Sequence, residues 1–239
     1  MPQPIFIHRP YAAFYLHHGL IPVLLLALVL GLVASFNLDR ALATAIYDSQ
    51  GQSWALRDYF WLQSVIHKGG RIVFAVLFVA LLSCCFLPAT KPYRAPLVYL
   101  TLSVFLSVIS ISLVKKISGI PCPWSVSEFG GTVDMIEWFQ GFNGTSGCFP
   151  AGHASSGYAW VALYFFALIL RPAVKYQALV LGLSLGLIYG GAQQLRGAHF
   201  LSHDIWTLAI CWVIPMLLYP RFASKPATAI NNRKPTNQA

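Results

Sequence analysis

Six apolar stretches constrain this chain more than any other feature: residues 19–36, 71–88, 96–114, 155–170, 177–191 and 205–219, none with a charge in its interior. A membrane-spanning helix needs roughly 20 mostly apolar residues, and a barrel strand about 10 that alternate. The runs are continuous, so the chain reads as an all-α integral membrane protein with six transmembrane helices in one domain, residues 1–239. With 57% of residues hydrophobic and 10% charged, a soluble domain is excluded, and so is a charge-laced coiled coil. The five cysteines are too dispersed for a disulfide-built miniprotein. The fourth stretch is short, and its helix is expected to begin inside the polar segment before it.

Six spans put both termini on one side. That side carries Arg9, Lys91, Arg94, Arg171, Lys175, Arg221, Lys225, Arg233 and Lys234 and no acid. The other side carries Arg40, Arg57, Lys68, Arg71, Lys115, Lys116 and Arg196 together with all seven acids. The positive-inside rule then places the termini in the cytoplasm and the long loop 115–154 outside. Residues 54–68 mix aromatic with polar side chains, and the expectation is an amphipathic helix in the outer interface between spans one and two. Val33-Ala34-Ser35 could be read as a signal-peptidase site, but only one Arg precedes the run, so it is kept as a span. The basic tail 220–239 is expected to be disordered. Basic residues scattered over loops give no support for nucleic-acid binding.

Polar residues at the outer ends of spans are where chemistry is expected in such a chain. Three clusters stand there: Lys115-Lys116 through Cys122-Pro123-Trp124; Cys148 through Pro150-Ala151-Gly152-His153; and Gln193 through Arg196, His199, His203 and Asp204. Taken singly, the lysines read as interfacial snorkelling residues and each histidine as an interfacial side chain. His199, His203 and Asp204 could also be a zinc site, although neither H-E-x-x-H nor C-x-x-C occurs. Taken together, cations, a glycine turn opening a helix and several histidines suit phosphoryl transfer, with the histidines dividing nucleophilic and acid roles.

The order lysine, P-x-G-H, then arginine with G-x-H-F-x-S resembles the type 2 phosphatidic acid phosphatase family, the lipid phosphate phosphatases related to vanadium haloperoxidases. The family motifs are K-x6-R-P, P-S-G-H and S-R-x5-H-x3-D, and the resemblance runs from the third span to the sixth. Lys115 and Pro123 match the first motif, with Cys122 at its arginine; Pro150, Gly152 and His153 match the second, with Ala151 at its serine. Setting His199 on the third puts Ala192 on its serine, Gln193 on its arginine and His203 on its aspartate. The register with His203 as nucleophile leaves Gly197 and Thr207 at the other positions and fits worse.

The resemblance implies an enzyme of six spans with an outer-face active site and no cofactor or metal. His199 would attack phosphorus, His153 would protonate the leaving oxygen, and His203 or Asp204 would orient His199. Lys115, Lys116, Arg196 and the backbone of Ala151 and Gly152 would bind phosphate. Its partners would be membrane lipids and a lipid phosphate such as undecaprenyl diphosphate, phosphatidate, phosphatidylglycerol phosphate or lipid A. A bacterial inner membrane, with the site facing the periplasm, is the implied location. The altered motif positions leave a non-catalytic phospholipid-binding homologue as the alternative; a small transporter fits less well, because the spans mostly lack polar breaks. Cys122 and Cys148 both fall in the outer loop, where an oxidising compartment permits a disulfide that would tie the first motif to the second; two unpaired thiols are the other reading.

Overall fold

The structure is a computed structural model and describes residues 10–135 and 147–223. Six of its helices are long and apolar enough to cross a membrane: α1 Tyr11–Ser35, α3 Trp61–Cys84, α4 Pro88–Ile117, α5 Gly152–Leu170, α6 Pro172–Leu195 and α7 Leu201–Ala223. Between the first two lies an amphipathic helix, α2 Leu38–Ser49. The protein is therefore an all-α, multi-pass membrane protein. Among the described residues the nearest approach to a strand is an isolated bridge between Val126 and Val133.

The six apolar stretches all become spans, and each helix outruns its stretch at a polar end. The second differs most. Residues 61–69 do not lie apart as an interfacial helix but form a π-helical first segment that runs straight into the span. Its aromatic and polar side chains therefore descend with α3, and the amphipathic helix between spans one and two is α2 instead. Of the basic tail, residues 220–223 complete α7, while 224–239 lie outside the described residues. In the 115–154 loop, Lys115 to Ile117 extend α4, Pro123–Ser125 and Ser127–Phe129 form 3-10 turns, and α5 begins at Gly152.

Helices in lipid gain little from burying apolar surface against each other, so they associate where small residues let backbones approach. Gly182, Gly186 and Gly190 repeat every four residues along one face of α6, and all three are buried. A Cβ on Gly182 would come within 2.6 Å of the Val161 backbone nitrogen, and one on Gly186 would collide with the Tyr158 ring. Gly182 and Gly186 thus seat α6 against α5, the helix that begins with Gly152 and His153, while Gly190 gives room to Asp204 of α7. At the same end of the bundle, Ala43 of α2 packs with Val126, Phe129 and Phe200 beneath Tyr47 and Trp54. This apolar roof holds α2 and the long loop over the helix ends.

Candidate active site

The loop between α6 and α7 is shaped by its glycine. Helix α6 ends at Leu195, and Gly197 adopts φ +71°, the left-handed conformation that closes helices. The Gly197 N–H donates to the Gln194 carbonyl and the Ala198 N–H to the Gln193 carbonyl, each at 2.9 Å, which is the Schellman pattern. The chain reverses there, so that Gln193 and Arg196 at the end of α6 and His199 just before α7 line one cavity. Asp39 of α2 anchors the far side of the turn, accepting from the Ser202 N–H at 2.7 Å, near the positive end of the α7 dipole. Burial pushes the Asp39 carboxyl above the usual range, and its bonds to Ser202 and Leu201 oppose that shift.

The cavity has a volume of ≈ 530 Å³ and is lined by His67, Arg71 and Phe74 of α3, Val108, Ser112 and Lys115 of α4, Gly152, His153 and Ser156 of α5, and Gln193, Arg196, Ala198 and His199, with Trp124 and Cys148 from the loop. No carboxylate is among these residues. From Lys115 to Val108 the lining follows α4 for two turns, about 10 Å into the apolar part of the bundle. The site therefore has a cationic, histidine-rich head and an apolar foot between α3 and α4.

His199 is 6% exposed. Its Nδ1 lies 3.5 Å from Nδ1 of His203, and the Cys148 carbonyl lies close to both rings. With the Nδ1 edge occupied, Nε2 is the nitrogen left to attack. Burial holds the His199 imidazole well below the ordinary histidine range, and the positive charge of Lys115 adds to the effect, so the ring stays neutral at neutral pH. His153 is oriented differently. Its Nε2 donates to the His67 carbonyl at 3.0 Å, and the two rings lie with centroids 3.7 Å apart, so the proton it can offer a leaving oxygen is the one that Nδ1 carries in the imidazolium form.

Arg196 is 4% exposed, with Nε donating to the Arg57 carbonyl at 2.7 Å and Nη1 to Gln193 Oε1 at 2.9 Å. Gln193, at the position where an arginine is expected, thus holds the arginine found three residues later. Arg57 in turn stacks over Trp124 at 4.3 Å. Burial lowers the Arg196 guanidinium from its ordinary value, but an arginine so shifted is still charged at neutral pH. Lys115 reaches the cavity beside Gly152, and its ammonium has no hydrogen-bond or ion-pair partner among the described residues.

Three expected assignments are not met by the geometry. Lys116 is exposed and does not line the cavity, because consecutive helical residues point about 100° apart. Ala151 is fully buried, and its N–H faces the His203 carbonyl at 3.4 Å rather than the cavity, which leaves the Gly152 turn for phosphate. Asp204 turns away to accept from the Gln194 side-chain amide, so His203 is the residue that abuts His199 and no His199–His203–Asp204 ligand set converges. Conversely, His67 and Arg71 enter the site unannounced. Their signal was an i, i+4 pair continuing to Phe74 on one helix face, hidden by assigning 54–68 and 71–88 to separate elements.

The disulfide is present. Cys122 and Cys148 are bonded, with Cα atoms 5.1 Å apart, so the loop after Lys115 is tied to the carbonyl that faces His199 and His203. Among curated proteins and solved structures nothing matches the chain. A family model does: the PAP2 superfamily matches residues 96–225, a segment that contains Lys115, the disulfide, His153, Arg196, His199 and His203. With more than half of its length matched and a histidine–cation cavity at the positions of all three motifs, the chain belongs to the PAP2 superfamily, which supports a phosphatase acting on phosphate esters.

Proposed function

We propose that the protein is a membrane lipid phosphatase that removes the terminal phosphate of an amphiphilic lipid phosphate or diphosphate through a phosphohistidine. The single observation that carries this reading is the cavity itself: His199 and His153 face a space lined by three cations and, among the described residues, no carboxylate, with Phe74 of α3 and Val108 of α4 at its apolar end. A phosphate ester fits such a head, and a lipid chain fits such a foot.

The reaction runs in two steps. Neutral His199 attacks through Nε2; the N–P bond forms as the P–O bond to the leaving group breaks, and His153 delivers its Nδ1 proton to the departing oxygen. Water then attacks the phosphohistidine, giving up a proton to His153 and releasing inorganic phosphate. Lys115, Arg196 and the Gly152 turn stabilise the equatorial oxygens, where the transition-state charge lies. His203, beside Nδ1, positions the His199 ring.

The excess of basic residues on the side of the termini supports cytoplasmic termini and a site on the outer face of the membrane, periplasmic in a bacterial inner membrane. Lipid substrates would then reach the cavity sideways from the outer leaflet. The test is phosphate release by purified protein in detergent from a panel of lipid monophosphates and diphosphates, beside His199→Ala. Release that disappears in the variant supports the reading. Protein that binds these lipids and releases nothing would be a non-catalytic homologue.

A further inference from the structure

His67 and Arg71 lie outside residues 96–225, so none of the three motifs accounts for them, yet both line the cavity. They stand four residues apart on α3, on the face that continues to Phe74 at the apolar foot. His67 has its ring against His153, and Gln63 Oε1 accepts from its Nδ1 at 3.2 Å. Among the described residues the Arg71 guanidinium has no hydrogen-bond or ion-pair partner, and none of those lining the cavity is a carboxylate that could neutralise it.

The two ends of the reaction are served by different cations. Lys115 of α4 reaches the cavity beside Gly152, whereas Arg71 stands on α3 one turn from His67, whose ring lies against that of His153. Arg71 thus stands along α3 between His67, which abuts the proton donor, and Phe74 at the apolar end of the lining. Whatever joins the scissile oxygen to the lipid chain must pass it. In a lipid monophosphate that group is a neutral alcohol or glyceride carbon. In a lipid diphosphate it is a second phosphate, which gains charge as the bridging bond breaks.

We propose that Arg71, flanked by His67, binds the second phosphate of a lipid diphosphate and makes the diphosphate the preferred substrate of this site. The inference rests on the phosphatase reading above. His199 Nε2 bonds to the terminal phosphorus; the bridging P–O bond breaks; its electron pair, with the proton from His153, leaves on a lipid monophosphate. Water then frees inorganic phosphate from His199. The planar guanidinium can take two oxygens of the leaving phosphate at once, which an ammonium cannot.

The experiment compares kcat/KM for farnesyl diphosphate and farnesyl monophosphate, probes that share one chain, in wild type, Arg71→Ala and Arg71→Lys. Because the ratio comes from one preparation, any misfolded fraction cancels. The wild type is expected to favour the diphosphate, the ratio to fall by about tenfold or more in Arg71→Ala, and Arg71→Lys to recover part of it. An unchanged ratio in Arg71→Ala, or a wild type that favours the monophosphate, overturns the inference while leaving the phosphatase intact. If wild type releases phosphate from neither probe nor from any other lipid phosphate, or His199→Ala releases as much as wild type, the underlying reading fails instead.

Discussion

Replacing Arg196 by alanine tests whether a displaced arginine performs the duty left open at Gln193. The guanidinium is fixed by two neighbours, the Arg57 carbonyl and Gln193 Oε1, and its remaining N–H groups are free to meet a phosphate in the cavity. A charge-assisted contact to a largely buried anion is worth about 1.5 to 3 kcal/mol. At about 1.4 kcal/mol per decade, that is a loss of roughly 10- to 150-fold in kcat/KM. Arg196→Lys should restore part of the loss, since a point charge cannot reproduce the fork. Gln193→Ala, which only frees the arginine, should cost less than Arg196→Ala. The assay is steady-state phosphate release, with thermal unfolding run in parallel, because Arg196→Ala also leaves the Arg57 carbonyl without its donor. Wild-type kcat/KM in a well-folded Arg196→Ala would refute the reasoning and pass the role to Lys115 and the Gly152 turn.

Four further outcomes follow from the structure. Because burial and Lys115 hold His199 well below its ordinary 6.5, the nucleophile is already neutral there, and the acid limb of the kcat/KM profile should lie below pH 6.5. Stability follows the same sign: the unfolded chain takes up this proton first, so the contribution of His199 is complete above 6.5 and is lost as pH falls below it, a loss that His199→Asn should lessen in pH-dependent melts. Cleaving Cys122–Cys148 with reductant, or replacing Cys148 by serine, should cost on the order of 3 kcal/mol by loop-closure entropy and lower turnover by loosening the carbonyl that lies close to His199; equal melting temperatures with and without reductant would contradict this. Gly186→Leu should abolish folded, monodisperse protein in detergent, because the side chain would occupy the place of the Tyr158 ring, whereas Gly191→Leu, where nothing stands within 4 Å, should be tolerated.

Hydropathy alone disclosed the spans, because a lipid-facing helix must be apolar over its whole length. Motif order disclosed Lys115, His153 and His199, because the reaction needs a cation, an acid and a nucleophile. What escaped depended on helical phase and on pairing in space. Lys115 and Lys116 are equivalent in composition, and only the rotation between neighbouring residues separates them. His203 and Asp204 are likewise adjacent, and their division of labour rests on Gln194, which draws the carboxylate away from His199. Arg71 reads as a charge flanking a span until α3 is seen to be continuous from Trp61. The Cys122–Cys148 bond was legible because both residues share the one long loop at the end of the bundle where the motifs lie.

The central claim, a phosphohistidine on His199, is tested most directly by trapping it. Protein mixed with a lipid diphosphate radiolabelled in its terminal phosphate is quenched in denaturant within the first turnovers, and the label on the chain is mapped by proteolysis. The account predicts a label that is stable in alkali and lost in mild acid, as an N–P bond requires, mapped to the peptide containing His199 and absent from His199→Asn. Label on the peptide containing His153, or phosphate release at the wild-type rate by His199→Asn, would contradict it.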